Sequence, residues 1–190
     1  MSFIDEKSVF LSYAYDSIKE LAPPGSNVLE FGSGSSSKEL VDLGYNVTAV
    51  EHDPEWMNRY EGVNYIHAPI VDLPYSRFIN TYFNLYKTWY DMDKILPCIK
   101  DKKFDLILID GPPAHIGRAG FFLYIELFKG IPIVMDDVQR DVEQRLFFSL
   151  TRVIQTQGLI LPVSNGIAAI GVIAEPSRLF MVLDKLKEKQ

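Results

Sequence analysis

A chain of 190 residues with 47% hydrophobic and 23% charged residues has the composition of an ordinary globular domain, long enough to bury a sizeable core. Its formal net charge of −6 argues against a nucleic-acid partner, which calls for a basic face. A single cysteine, Cys98, excludes an internal disulfide framework and fits a reducing, cytoplasmic setting. No apolar run approaches the roughly 20 residues that span a bilayer, and Met1 to Glu6 lacks the basic and apolar regions of a secretory signal.

One domain over 1–190 is expected, opening with an N-terminal unit over 1–26. Glu6 to Leu21 reads as an amphipathic helix with Val9, Phe10, Tyr13, Ile18 and Leu21 on its apolar side, ended by Pro23-Pro24-Gly25. Asn27 to Phe31 is a strand. Ser36-x-x-Glu39 predicts a capping box for the next helix, and Gly44 its end. Strands follow at Asn46 to Val50 and Asn64 to Ala68. The connection over 69–103 is long and carries Tyr75, Phe78, Tyr82, Phe83, Tyr86, Trp89 and Tyr90, which suits a lid or binding element. Phe104 to Ile109 is an unbroken apolar run, as in a strand covered on both faces, and Ile131 to Met135 is another. A helical stretch, Gly120 to Phe128, lies between them. Asp141 to Thr156 reads as a helix. Leu159 to Val163 and Ile167 to Ala174 flank the hairpin signal Ser164-Asn165-Gly166, and a helix runs from Pro176 to the end. Strands alternating with helices imply an α/β, doubly wound, mostly parallel sheet, closed by an antiparallel hairpin strand.

The most informative stretch is Val28-Leu29-Glu30-Phe31-Gly32-Ser33-Gly34-Ser35-Ser36-Ser37: an apolar run, an acid, then a Gly/Ser loop opening a helix. With the second strand ending in Glu51, this is the layout of a unit that holds a nucleoside-containing cofactor. Glu51 stands where an acid accepts ribose hydroxyls. Gly32, Ser33 and Gly34 offer close backbone approach, with Ser36 beside them. Position 37 is Ser where a dinucleotide fingerprint ends in Gly, and Glu30 would repel a pyrophosphate but suit an ammonium group. A ligand with an amino-acid end and an adenosine end fits better than a nicotinamide dinucleotide. His52 is a candidate for the adenosine pocket or, alternatively, a surface residue.

Val28 to Ser37, followed by Val50-Glu51-His52-Asp53-Pro54-Glu55-Trp56, resembles the class I S-adenosylmethionine-dependent methyltransferases, in particular a bacterial branch with an E-x-G-S-G-x-S loop and a V-E-H-D-P-E-W strand end. The resemblance implies a Rossmann-like fold and S-adenosylmethionine as cofactor. Trp89-Tyr90-Asp91 also resembles a string of that branch, with Trp89 offered to the cofactor and Tyr90 to the acceptor.

Acids end the later strands too: Asp110, and the pair Asp136-Asp137. Asp110 and Asp136, on neighbouring strands, are expected to face one small polar cavity and to act on an acceptor hydroxyl, with His115 as a further candidate base. Some family members place an Asp and an Asp-Asn pair at these strand ends around a divalent metal. The resemblance therefore offers Asp110, Asp136 and Asp137 as metal ligands, beside a reading in which they position substrate without metal. A looser likeness, Asp110-Gly-Pro, Gly117-Arg118-Ala119 and Asp137-Val138-Gln139-Arg140-Asp141-Val142-Glu143, is to the plant glucuronoxylan O-methyltransferases, with Asp136 in place of their histidine and Ala119 in place of their methionine. It suggests a sugar or uronate acceptor, gripped at a carboxylate by Arg118. The expected function is O-methylation of a small-molecule or saccharide hydroxyl. The alternatives are an aminopropyltransferase-like enzyme and a non-catalytic S-adenosylmethionine-binding protein.

Overall fold

The structure, a computed structural model, describes residues 8–73, 87–163 and 168–187. The expected helix start at Glu6, the aromatics Tyr75, Phe78, Tyr82, Phe83 and Tyr86, and the hairpin turn Ser164-Asn165-Gly166 lie outside the described residues.

In chain order the elements are α1 (Val9–Leu21), β1 (Asn27–Phe31), α2 (Ser35–Asp42), β2 (Asn46–Glu51), a 3₁₀ turn (Pro54–Trp56), β3 (Asn64–His67), β4 (Ile70–Asp72), β5 (Thr88–Tyr90), α3 (Met92–Ile99), β6 (Leu106–Ile109), a long 3₁₀ segment (Ala119–Phe128), β7 (Ile133–Met135), α4 (Asp141–Val153), β8 (Gln157–Val163), β9 (Ala168–Ala174) and α5 (Pro176–Lys187). The main sheet runs β3-β2-β1-β6-β7-β9-β8. Its first five strands are parallel, and β9 lies antiparallel to both β7 and β8. This is the doubly wound sheet with a closing antiparallel hairpin that the sequence implies. Among the described residues, no helix is long and apolar enough to cross a membrane.

Sequence alternation sets the two cores. In β6, Leu106 and Leu108 face one side with Val28, Val47, Leu40 of α2, Ile18 of α1 and Leu179 of α5. Ile107 and Ile109 face the other with Leu29, Phe31, Ile95 of α3, Phe121 and Phe147 of α4. A strand buried on both faces has no polar side to show, which is why it reads as a continuous apolar run.

One local expectation, the cap of α2, is corrected, and two others are made specific. The helix after the glycine loop begins at Ser35 with Gly34 as its N-cap; the Ser37 hydroxyl takes the Gly34 N–H at 3.2 Å, and Glu39 instead accepts from the Ser8 N–H at 2.5 Å. Glu39 therefore ties α1 to α2. The expected helical stretch Gly120 to Phe128 is present as a 3₁₀ segment that begins at Ala119. Within 69–103, β4 and β5 pair as a separate antiparallel ribbon, Val71 opposite Trp89, and α3 follows.

The chain leaves β1 for β2 and β3 on one side, then returns to β6 and β7 on the other. The β1/β6 boundary is the switch point, and the crevice outside the strand carboxyl ends there is where such sheets hold ligands.

Candidate active site

Phe31 pairs with Val50 and with Ile109, and Ile109 pairs with Met135. The parallel register therefore delivers the residues that follow these strands to one edge. They are the Gly32–Gly34 loop, Glu51, Asp110 and Asp136-Asp137.

Gly32 has φ +97, and a Cβ there would stand 2.7 Å from Cα and N of Gly111. The Gly111 N–H donates to the Phe31 carbonyl at 2.6 Å. The loops after β1 and β6 thus cross backbone to backbone. The room expected at Gly32 for a ligand is taken by Gly111. At Gly34 a Cβ would meet only Ser36 Oγ, at 3.9 Å, so that side of the loop is open.

Glu51 organises the loop. Its Oε2 accepts the Ser33 N–H at 2.9 Å, and its Oε1 accepts the N–H groups of His52 and Asp53 at 2.6 and 2.8 Å. Three backbone donors hold an acid at the end of β2. His52 Nδ1 lies 2.8 Å from Glu51 Oε1 but is not aligned as a hydrogen bond. The His52 ring is half-buried and stands edge-on to Tyr90 at 6.0 Å.

Three expected cofactor contacts turn inward. Glu30 is fully buried, accepting the Ser36 hydroxyl at 2.6 Å on one oxygen and the Ser37 hydroxyl on the other. Burial pushes its carboxyl up to about 7; the two serine bonds oppose this and nearby Glu51 adds to it. Ser36 is buried with its hydroxyl committed to Glu30. Trp89 is fully buried, its ring 5.4 Å from that of Phe31 and 6.0 Å from that of Phe121. Glu30 and Ser36 set the loop from beneath, and Trp89 is core. β5 is covered on both faces, a burial that its aromatic content alone does not reveal.

Tyr90 is also buried, yet its hydroxyl has no partner among the described residues. It reaches under the loop crossing, 2.7 Å from where a Gly111 Cβ would stand. Desolvation holds this phenol well above its ordinary range, and Glu51, Asp110 and Glu30 push the same way.

On the far side of the crevice, Asp110, Asp136 and Asp137 each bring a carboxylate oxygen within 4.8 Å of the others. Desolvation holds the Asp110 carboxyl well above its usual range; Arg118 opposes this, while Asp136, Glu30 and Asp137 reinforce it. Asp136 is raised as well, chiefly by desolvation, with the Tyr13 hydrogen bond pulling it down. Asp137 adopts φ +64, a conformation costly for a non-glycine residue. Its Oδ2 lies 2.8 Å from both Arg118 Nη2 and Arg140 Nη1, and its Oδ1 accepts from Gln139 at 3.3 Å.

Arg118 corrects another expectation. It is buried, with Nη1 donating to the Asp136 carbonyl at 2.7 Å and Nη2 to the Asp110 carbonyl at 2.7 Å. Its fork holds the chain's own strand ends and is not presented to an acceptor. His115 is exposed, and it is not part of the acid cluster. Tyr13 packs against the core on the apolar side of α1, as its spacing predicts, and its hydroxyl in addition donates to Asp136 Oδ1 at 2.7 Å. Its position at the edge of the apolar stripe, with a polar tip, was the available signal.

No protein-family model and no curated protein sequence matches this chain. Solved structures do. Precorrin-6y C5,15-methyltransferase from Geobacter metallireducens shares 12% identity at a TM-score of 0.56, over 90% of this chain and 93% of that one. A methyltransferase from Pyrococcus furiosus shares 14% identity at 0.51, over 91% and 86%. The O-methyltransferase TomG from Streptomyces achromogenes, solved in complex with S-adenosylmethionine, shares 13% identity at 0.50, over 90% and 82%. The chain has the class I S-adenosylmethionine-dependent methyltransferase fold.

Proposed function

We propose that this chain is an S-adenosylmethionine-dependent methyltransferase acting on a hydroxyl of a small-molecule or saccharide acceptor. The observation that supports this best is the pairing of two polar half-sites across the β1/β6 switch point. One is an open-sided Gly34 next to an amide-held Glu51; the other is a desolvated carboxylate cluster.

The donor half fits a nucleoside bearing an amino-acid tail. Glu51 is fixed by three N–H groups and has acceptor capacity left for ribose hydroxyls. His52 Nδ1, 2.8 Å from Glu51 Oε1 but not hydrogen-bonded to it, and the Tyr90 hydroxyl have no hydrogen-bond partner among the described residues. When bound, the sulfonium supplies the methyl group. Gly34 lets the donor approach the backbone, and Ser33, held by Glu51, fixes the loop.

On the acceptor half, Asp110 keeps 31% of its side chain accessible and lies nearest the Gly32–Gly111 crossing. The attacking oxygen forms its bond to the methyl carbon as the carbon–sulfur bond breaks, the electron pair leaving with sulfur. The acceptor proton passes to an Asp110 carboxylate oxygen. A carboxyl held above its usual range is a stronger base when ionised, so turnover rises as pH climbs through that elevated value. Positioning supplies much of the remaining rate. The net charge of −6 favours a small acceptor over nucleic acid.

Calorimetric titration of S-adenosylhomocysteine, S-adenosylmethionine and decarboxylated S-adenosylmethionine tests the reading. The expected result is binding of the first two, at 100 Kd adding about 2.7 kcal/mol of stability. No heat and no thermal shift with either ends the proposal. Preference for the decarboxylated donor transfers it to aminopropyl transfer.

A further inference from the structure

We propose that Arg118 is the resident cation of the strand-end acids, standing where a divalent metal ion would otherwise be held. The methyl-transfer reading enters only in calling this the acceptor side; the placement of charge does not depend on it.

By distance alone, Asp110, Asp136 and Asp137 look like a metal site. The donor set is already committed. Arg118 Nη2 lies 2.8 Å from Asp137 Oδ2 and 3.6 Å from Asp110 Oδ1. Asp137 Oδ2 is shared with Arg140, at 2.8 Å. Asp136 Oδ1 takes the Tyr13 hydroxyl. A hard divalent ion draws in six or more oxygens at about 2.0–2.6 Å. An ion at this cluster would compete with Arg118 and Arg140 for Asp137 Oδ2 and with the Tyr13 hydroxyl for Asp136 Oδ1, and would sit against the Arg118 charge.

Arg118 cannot step aside. It is 3% exposed, and its two Nη atoms bond to the Asp136 and Asp110 carbonyls. Its own carbonyl accepts the N–H of Phe121, a fully buried core residue. A guanidinium does not lose its proton in a protein, so an incoming dication would sit against a fixed positive charge with little water between them. Charge complementarity is already met from within the chain.

The acceptor class follows. Arg118 has only a buried Nε without a partner among the described residues, and its Nη donors are taken by the Asp136 and Asp110 carbonyls and the Asp137 carboxylate. An anionic acceptor such as a uronate or a phosphate would meet the Asp110 and Asp136 carboxylates, while the exposed cation of the cluster, Arg140, is already paired with Asp137 Oδ2. The site suits an uncharged hydroxyl-bearing acceptor.

The test is Mn²⁺ titration of the full chain, followed by the spin-resonance signal of free Mn²⁺, in wild type, Asp110→Asn, Arg118→Gln and the double variant. S-adenosylhomocysteine binding is measured on the same samples. The expected result is no Mn²⁺ at the cluster of wild type up to about 1 mM, the weak end of protein cation sites. Arg118→Gln gains an ion at least tenfold more tightly, and Asp110→Asn in that background removes it. A wild-type ion lost on Asp110→Asn overturns the proposal. So does a folded Arg118→Gln with no gain, or with a gain that survives Asp110→Asn. A wild-type ion that survives Asp110→Asn is tested against Asp136→Asn, and its loss there overturns the proposal as well. Where Arg118→Gln does not fold, wild type against Asp110→Asn decides alone. Loss of S-adenosylhomocysteine binding in wild type would sink the methyltransferase reading and leave the cation result standing.

Discussion

The phenol of Tyr13 donates to Asp136 Oδ1 at 2.7 Å across 123 residues of sequence, tying α1 to the carboxyl end of β7. Phe10, Leu11, Ala14, Ile18 and Leu21 seat the helix against the sheet, and Tyr13 leans over the sheet edge with its ring edge-on to Phe10 at 6.1 Å. Burial raises the phenol's pKa and the Asp136 bond raises it further, so it stays a proton donor throughout the neutral range. Asp136 is thereby spared the full repulsion of Asp137.

Tyr13→Phe should destabilise the protein by about 1–2 kcal/mol, a hydrogen bond to a charged or partly charged carboxyl in a half-buried setting. It should also move Asp136 further above its ordinary range, since the bond that lowers it is gone. Denaturant unfolding at pH 7 checks the first, and carboxyl titration by NMR the second. Unchanged stability together with an unmoved Asp136 would show that the contact carries no weight.

Glu30 predicts a pH slope. Its folded pKa of about 7 stands above its ordinary 4.5, because burial disfavours the ionised form. The sign follows from linkage: the contribution is full below pH 4.5 and is lost as pH rises through about 7. Integrated over that window it amounts to roughly 3 kcal/mol. Glu30→Gln stays neutral and keeps a partner for the Ser36 and Ser37 hydroxyls. Its stability should fall less than that of wild type between pH 5 and pH 8. Parallel stability curves for the two proteins would be incompatible with a buried, late-ionising Glu30.

Much of the architecture was legible because strands covered on both faces are written as apolar runs, and β6 and β9 are such strands. The acid at each strand end was legible too, and the parallel register gathers those acids automatically. What was not legible depends on partners far away in sequence. Gly32 reads as a ligand-approach glycine, but its neighbour is Gly111. Arg118 reads as an arginine that grips an acceptor carboxylate, but the 3₁₀ segment after it anchors it beneath the strand ends. Trp89 carries the same letters whether it lines a pocket or fills a core, and only the β4–β5 ribbon decides. Capping followed one residue choice over another: with Gly34 already capping α2, Glu39 was free to hold Ser8.

Glu51 should be the most sensitive donor-side position. Glu51→Ala leaves the Ser33, His52 and Asp53 N–H groups without their acceptor, at an expected stability cost of about 2–3 kcal/mol for bonds to a charged group. S-adenosylhomocysteine affinity should fall at least tenfold, about 1.4 kcal/mol. Glu51→Gln keeps one acceptor oxygen and should fall between wild type and Glu51→Ala in both measurements. Calorimetry and thermal unfolding on the three proteins test the order. Unchanged affinity in Glu51→Ala would remove Glu51 from the ribose.

Gly32 and Gly34, two residues apart, should behave as opposites. At Gly32 the left-handed backbone and the 2.7 Å approach to Gly111 leave no room for a methyl group, and the obstacle is backbone, which cannot rotate away. Gly32→Ala should cost roughly 2–4 kcal/mol, the sum of a strained φ and a forced overpacking. At Gly34 the backbone is extended, with φ −169, and the added carbon meets nothing closer than 3.9 Å. Gly34→Ala should cost at most about 1 kcal/mol, the weaker helix cap. Yet Gly34 is where the proposed donor would pass closest to the chain, so its methyl group should weaken S-adenosylhomocysteine binding at least tenfold in a protein that remains folded. Unfolding midpoints and calorimetric affinities for the pair separate the two roles. If Gly34→Ala binds as wild type does, the donor does not lie over Gly34, and the open side of the loop belongs to something else.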